Sequence, residues 1–326
     1  MQAWEITKLG EPREALKVQN LSQKEILEKH VRIKVDAFSM NFFDILQCRG
    51  EYQEKPELPF TPGAEVSGVI TEVGWNANFR KGQRVLATPL LPNGGYAEEV
   101  VVDEKNVYRI PETMSSDDAA AIYITYQSAL YGLKYRGTIQ SGETVLVHAA
   151  SGGIGSAAVQ LAKAFGATVI ATAGSKDKLQ KCTEIGADFT INYREEDFVP
   201  IVKEITNGKG ADIIFDPVGG DTFQKSRKCI AFDGRLLVIG FAGGKIPEAP
   251  ANHVLIKNYS IVGVHFGYFK SLFPEKVQEL HEELMDLYVQ GNVKPLIYKK
   301  YRFEEVIEGL EALESRLTYG KLIVQL

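Results

Sequence analysis

The sequence predicts an α/β protein in which a doubly wound parallel sheet is inserted into a β-rich domain. Three observations carry this. Between residues 143 and 264, strand-like apolar runs alternate with helix-like segments. Residues 1–121 instead hold short alternating runs cut by Gly, Pro and Asn. The tail, residues 267–326, returns to that earlier character. The expected division is therefore 1–121 with 267–326, interrupted by 122–266.

The elements follow in order. In "HVRIKVDAFSM", Val31, Ile33, Val35 and Ala37 alternate onto one face. "EVSGVITEVG", "GQRVLAT" and "GGYAEEVVVDEKNVYRI" continue a mostly antiparallel unit with turn residues between them. Residues 115–135 predict a helix, opened by Ser and Asp. Then "TVLVHA", "TVIATA", "FTIN", "ADIIFD" and "GRLLVIG" read as strands, the first four each followed by a helical pattern, and "SIVGV" as a further strand. Serial βα units form a parallel sheet with helices on both faces. The tail reads as a long helix, a strand "LIYKKYRF", a short helix and a last strand "KLIVQL".

Composition sets limits on function. The chain has 326 residues, 44% of them hydrophobic and 24% charged, with a net charge of -5. That balance argues against a nucleic-acid or membrane-surface partner, since polyanions reward basic stripes. No apolar run reaches the ~20 residues of a spanning helix, and "MQAWEITKLG" lacks a signal-peptide pattern. The cysteines, Cys48, Cys182 and Cys229, show no C-x-x-C or metal-ligand spacing. Unpaired thiols suit a reducing compartment, so the expected location is cytoplasmic.

The stretch Ala150-Ser151-Gly152-Gly153-Ile154-Gly155 has the A-x-G-x-x-G form of a dinucleotide fingerprint, with a strand before it and a helix opening after it. Gly152 would let backbone N–H groups approach a pyrophosphate, and Gly155 would let the helix pack on the strand. The helix N-terminus then faces the anion. A plain turn using glycine for positive φ is the rival reading. The second strand bears on which nucleotide binds. Where an NAD-binding unit carries an acid for the ribose, this chain has Gly174, followed by Ser175, Lys176 and Lys178. A missing carboxylate plus hydroxyl and ammonium donors favours a 2′-phosphate, hence NADP(H). Against that, Ser175 also suits a helix N-cap, the two lysines a solvated face, and Asp177 could still serve the ribose.

With "NFFDILQCRGEY", "PFTPGAEVSGVITEVG", "GGYAEEVVV", "DIIFDPVGG" and "GKLIVQL" added, the chain resembles the medium-chain dehydrogenase/reductase superfamily. Within it, the chain is most similar to the zinc-independent NADPH:quinone oxidoreductases, the zeta-crystallin-like group. The resemblance implies a Rossmann domain inserted in a GroES-like domain. Zinc-dependent relatives carry a Cys and a G-H-E where this chain has Met40-Asn41-Phe42 and Gly63-Ala64-Glu65. No metal is therefore expected.

The resemblance also implies site residues. Asn41 and Asp44 match positions near nicotinamide and substrate; Asx turns are the alternative for both. Tyr52 matches a tyrosine that related enoyl-thioester reductases use as proton donor, or is a loop aromatic over the cleft. Arg49 matches a basic position beside the cleft, or is a surface charge. Thr125, Lys178, Tyr193, Val218, Gly240, Phe241, Val264, Phe266 and Arg316 match cofactor-contacting positions, beside Gly174 and Ser175. Asp216, Ile239 and His265 lie in the same strand-end segments. Phe42, Tyr52, Tyr123 and Phe266 are candidate apolar walls. His148 and His265 have no acid beside them in sequence and read as structural.

The implied activity is NADPH-dependent hydride transfer to a small electrophile, a quinone or an activated enone, by a homodimer. Asn41 is a candidate donor to the oxyanion formed. Two rivals are an enoyl-thioester reductase and a non-catalytic NADPH-binding or sensing protein.

Overall fold

The computed structural model describes residues 1–326. The chain forms two compact units, Met1–Ile124 with Pro295–Leu326, and Thr125–Lys294. The interrupted layout is as the sequence implies, but residues 267–294 belong to the second unit rather than the first.

In the first unit, β1 (Gln2–Ile6) and β2 (Leu16–Asn20) pair antiparallel around the short α1 (Pro12–Ala15). The long β3 (His30–Met40) runs directly into α2 (Phe42–Arg49). Then come β4 (Val66–Val73), β5 (Arg84–Ala87), β6 (Glu99–Asp103), β7 (Val107–Arg109) and α3 (Ser116–Leu130). The expected alternation of β3 holds for Val31, Ile33, Val35 and Ala37, all buried, but Phe38, Ser39 and Met40 are buried as well. Register shifts against β4 at Arg32/Ile33 and Val35/Ala37 bend the strand and break the two-residue period.

The helix predicted over 115–135 ends as α3 at Leu130 and continues as a π-helical turn, Tyr131–Arg136. The second unit then alternates: β8 (Thr144–Val147), α4 (Gly153–Ala164), β9 (Thr168–Ala173), α5 (Lys176–Glu184) and β10 (Phe189–Asn192). It continues with α6 (Phe198–Ile205), β11 (Ala211–Asp216), α7 (Gly220–Ser226), β12 (Ile230–Val238), α8 (Ala251–Lys257) and β13 (Ser260–Gly263). Two helices, α9 (Phe266–Leu272) and α10 (Pro274–Val289), complete it. The sheet is six-stranded, ordered β10-β9-β8-β11-β12-β13, and parallel throughout. Chain order reverses between β8 and β11. In such sheets the crevice beyond the carboxyl ends of those two strands is the ligand site. Leu146, Ile170, Ile214, Phe223 and Leu236 centre one core cluster.

The chain returns to the first unit as β14 (Ile297–Arg302), α11 (Val306–Glu314) and β15 (Lys321–Gln325). β15 pairs with the end of β3, Ala37–Met40, while β6 takes its start, His30–Lys34. The register sets Leu322 opposite Met40, which brings Lys321 to the head of α2.

Candidate active site

The glycine-rich loop lies at the reversal point, between β8 and α4. None of its glycines has a positive φ; the left-handed residue is Ala149, at φ 48°. The glycines therefore serve close approach. A Cβ on Gly155 would come within 2.2 Å of Ala149 O, so only glycine lets α4 sit down on the loop. A Cβ on Gly152 would meet only Ala149 O, at 3.3 Å, leaving its other side open. The first-turn N–H groups of α4 have no intrahelical acceptor, the arrangement that suits an anion, whereas Ala150 N and Gly152 N are already given to Thr172 O at 3.0 Å and Ala149 O at 2.9 Å.

One strand later, β9 ends at Gly174. A Cβ there would stand 2.8 Å from Tyr193 Oη and 3.0 Å from Arg194 Nε. Glycine thus makes room for a phenol and a guanidinium where an acid would otherwise stand. Ser175 is the N-cap of α5, as the alternative reading of that residue had it, and its hydroxyl makes no capping hydrogen bond. Burial and then the Arg194 guanidinium push the Lys178 ammonium below its usual pKa. A guanidinium, an ammonium, a phenol and a hydroxyl thus stand as candidates for holding an anion. Arg194 was missed in the sequence. Its signal was the "YR" pair at the end of β10, which becomes readable only once β10 is placed beside β9.

Four more nucleotide candidates sit on the loops after β11, β12 and β13. Backbone bonds stitch these loops together: Ile239 N donates to Asp216 O at 3.0 Å, Gly243 N to Val218 O at 2.9 Å, and Val264 N to Val238 O at 3.0 Å. Val218, Gly240, Phe241 and Val264 are thereby brought to one end of the sheet. Asp216 staples its own turn, with Oδ1 accepting from Val218 N and Gly219 N at 2.8 and 3.0 Å. Phe266 is buried against Tyr131 and Phe269. Thr125 opens the second unit. Arg316 lies in the first unit, in the turn after α11, at φ 57°. His148 is buried and neutral. Nδ1 lies 3.0 Å from Thr172 Oγ1 and Nε2 2.8 Å from Ser226 Oγ, and burial drives its pKa down to about 4.

The first unit holds a buried polar cluster at the β3–α2 junction. Glu65 and Lys321, 1% and 4% exposed, form an ion pair of 2.8 Å. Glu65 Oε1 also accepts from Ser39 Oγ at 2.5 Å and Asn41 Nδ2 at 3.2 Å, and Oε2 from Ile124 N at 2.8 Å. Lys321 Nζ donates to Asn41 Oδ1 at 2.5 Å. Lysine only donates and carboxylate only accepts, so the Asn41 amide has one allowed orientation. Asp44 lies alongside, its Oδ2 accepting from Asn41 N at 2.7 Å and from Tyr96 Oη at 2.6 Å. Burial pushes the Asp44 carboxyl up to about 7, partly offset by those two bonds. Asn41 and Asp44 form the capping box of α2, a local role close to the Asx-turn alternative, and both are tied into one buried network. Glu65 and Lys321 hold it together; the sequence showed Glu65 only where relatives carry G-H-E, and gave no sign of Lys321.

Other candidates divide. Tyr52 stacks on Phe43 with ring centroids 5.4 Å apart, and burial, then the Glu54 and Asp44 carboxylates, raise its phenol pKa. Arg49 is held by Glu11, at 2.6 Å, and by Glu314, as a peripheral clamp. Tyr123 is no wall: it is 1% exposed and donates to Tyr108 Oη at 2.8 Å. Phe42 is exposed at the head of α2.

Two family models match: the alcohol dehydrogenase GroES-like domain over residues 27–112 and the zinc-binding dehydrogenase over 153–285. A quinone oxidoreductase-like protein 2 homolog of Nematostella vectensis is 42% identical over 93% of this chain and 83% of its own length. The quinone oxidoreductase of Homo sapiens is 34% identical over 100% of this chain and 98% of its own. The crystal structure of Escherichia coli quinone oxidoreductase complexed with NADPH superposes at a TM-score of 0.91, with 29% identity and all of both chains covered. The second model's description implies zinc, and the donors at the β3–α2 junction do not suit it. The carboxylate is already paired with an ammonium, and its other partners are a hydroxyl, an amide and a backbone N–H, where zinc takes thiolate or imidazole. The three thiols are buried, each pushed up to about 12, and no three His, Cys, Asp or Glu converge anywhere. By the matched domains, by identity over the full length and by fold, the chain belongs to the quinone oxidoreductase group of the medium-chain dehydrogenase/reductase superfamily.

Proposed function

We propose that this protein is a metal-free, NADPH-dependent reductase of quinones and activated α,β-unsaturated carbonyls. The observation that carries the reading is the anion cluster after β9. Gly174, Ser175, Lys178, Tyr193 and Arg194 gather two cations and two hydroxyls where an NAD-specific unit places an acid. The chain binds NADP(H) through this cluster and the glycine-rich loop. The bound dihydronicotinamide supplies the hydride.

The rest of the work belongs to the chain. The first turn of α4 carries the pyrophosphate, with Ser151, Gly153 and Ile154 presenting backbone N–H groups to it, those of Ala150 and Gly152 being already given to Thr172 O and Ala149 O. The loops after β11, β12 and β13 hold the nicotinamide end with Val218, Gly240, Phe241 and Val264. Asn41 and Asp44 shape the acceptor site. With a quinone, water protonates the reduced oxygens. With an enone, Tyr52 keeps its proton at neutral pH and can deliver it from Oη to the α-carbon.

The assay follows loss of dihydronicotinamide absorbance with NADPH and with NADH against quinones, enals and enoyl-CoA. Turnover of quinone or enal with NADPH is expected. Turnover of enoyl-CoA alone would replace this reading with an enoyl-thioester reductase. No oxidation by any acceptor, with tight NADPH binding, would leave only a binding protein. We further propose a cytoplasmic homodimer pairing at β13, an edge strand whose Ile261 is 36% exposed. An Ile261→Lys variant should then elute as a monomer under light scattering. No helix is long and apolar enough to cross a membrane.

A further inference from the structure

The reductase reading requires something to stabilise the negative charge that appears on the acceptor. The acceptor gains two electrons and one proton as hydride, is left as an oxyanion, and takes its second proton from water or, for an enone, from Tyr52. Asn41 is the natural candidate from sequence, but its donors are committed. Nδ2 is given to Glu65 at 3.2 Å and Ser39 at 3.4 Å, and Oδ1 receives Lys321. Ser39 Oγ is given to Glu65, and Tyr96 Oη to Asp44. The ammonium of Lys321 is different. It has three N–H donors and two bonded acceptors, Asn41 Oδ1 and Glu65 Oε1. A buried pair of this kind contributes little net stability, because desolvation offsets its attraction. What it achieves is a fixed positive charge, locked beside Asn41, with one donor still to give.

We infer that Lys321 is a catalytic residue of the acceptor site, its ammonium setting a preorganised positive charge against the oxyanion of the reduced acceptor. This rests on the reductase reading above. Such charge is effective because it is held in place before the reaction and sheltered from water. Glu65 tempers it: the carboxylate holds the ammonium in position and cancels part of its field.

The proposal predicts opposite effects from the two partners. The probe pair is hydroxynaphthoquinone, an anion at neutral pH, and methylnaphthoquinone, neutral, each titrated against the NADP+ complex. The wild type should favour the anion about tenfold. Glu65→Gln, which keeps an acceptor for Ile124 N but strips the buried ammonium of its countercharge, should raise that preference and lower Tm. Lys321→Met, made together with Glu65→Gln so that no charge is stranded, should abolish it and lower kcat about 100-fold. NADPH affinity should stay within about twofold in both variants, and Lys321→Arg should restore the preference. An unchanged anion preference in Glu65→Gln, or its survival in the double variant, overturns the proposal. If the double variant fails to bind NADPH, the Glu65→Gln result decides alone. A wild type that binds NADPH and reduces no acceptor defeats the reductase reading instead.

Discussion

At the scale of single residues, the proposed basis of cofactor choice is a few atoms around Gly174. Burial and then the Arg194 guanidinium disfavour the charged Lys178 ammonium. A 2′-phosphate bonded to a guanidinium gains about 1.5–3 kcal/mol per charged hydrogen bond. Arg194→Ala should therefore weaken NADPH binding by about 10- to 100-fold and leave NADH binding unchanged, as read by fluorescence titration. Lys178→Ala should narrow the same preference. Equal losses for both nucleotides would show that these residues hold the fold rather than the phosphate. Gly174 was visible as a missing acid because fingerprint and acid lie on neighbouring elements at a fixed spacing. Arg194 was not, because "INYREED" reads as a strand end until β10 is laid against β9. Lys321 was further out of reach: its bond to Asn41 joins residues 280 positions apart, and only the β15–β3 register puts them together.

At the scale of elements, the two glycines that flank the start of α4 have separable duties. A Cβ on Gly155 would collide with Ala149 O at 2.2 Å. Gly155→Ala should cost about 1–3 kcal/mol by overpacking, and lower Tm by about 2–4 °C for each of them. Gly152→Ala meets one atom, at 3.3 Å, so its Tm should hold while NADPH affinity falls about tenfold as the added methyl faces the pyrophosphate. If instead Gly152→Ala melts early and binds normally, the loop is a structural turn. The βα units were legible because each strand and helix announces itself within a dozen residues. The division of the tail was not, because the pattern of α10 shows an apolar stripe without naming its partner: Val277, Leu280 and Leu284 are buried within the second unit.

At the scale of the whole molecule, the two units carry opposite proton linkages. His148 in the second unit has its pKa lowered from 6.5 to about 4. The unfolded chain therefore binds the extra proton between those values, and stability is lost as pH falls through them, by about 3 kcal/mol in all. Asp44 in the first unit is raised from 3.8 to about 7. Here the folded state holds the extra proton, so its contribution is complete below 3.8 and is lost as pH rises to about 7, by about 4 kcal/mol. If both units melt together, the slopes nearly cancel between pH 4 and 6.5. His148→Gln should then expose a stability that falls with pH, and Asp44→Asn one that rises with it, in calorimetry across that range. Matching slopes in the two variants would contradict this balance. Opposed signs could not be foreseen from sequence, because burial, which sets both, belongs to the finished fold.

The discontinuity of the first unit also imposes an order in time. During synthesis, residues 125–294 emerge as one uninterrupted stretch with every strand of their sheet present, so the nucleotide-binding unit can fold while the chain is still growing. The first unit must wait. β3 stands with part of one edge open until β15 is made, and β15 brings with it Lys321, the last member of the buried cluster to be synthesised. A chain stalled before that strand would have its nucleotide-binding unit complete while Glu65 stayed buried without its ammonium partner.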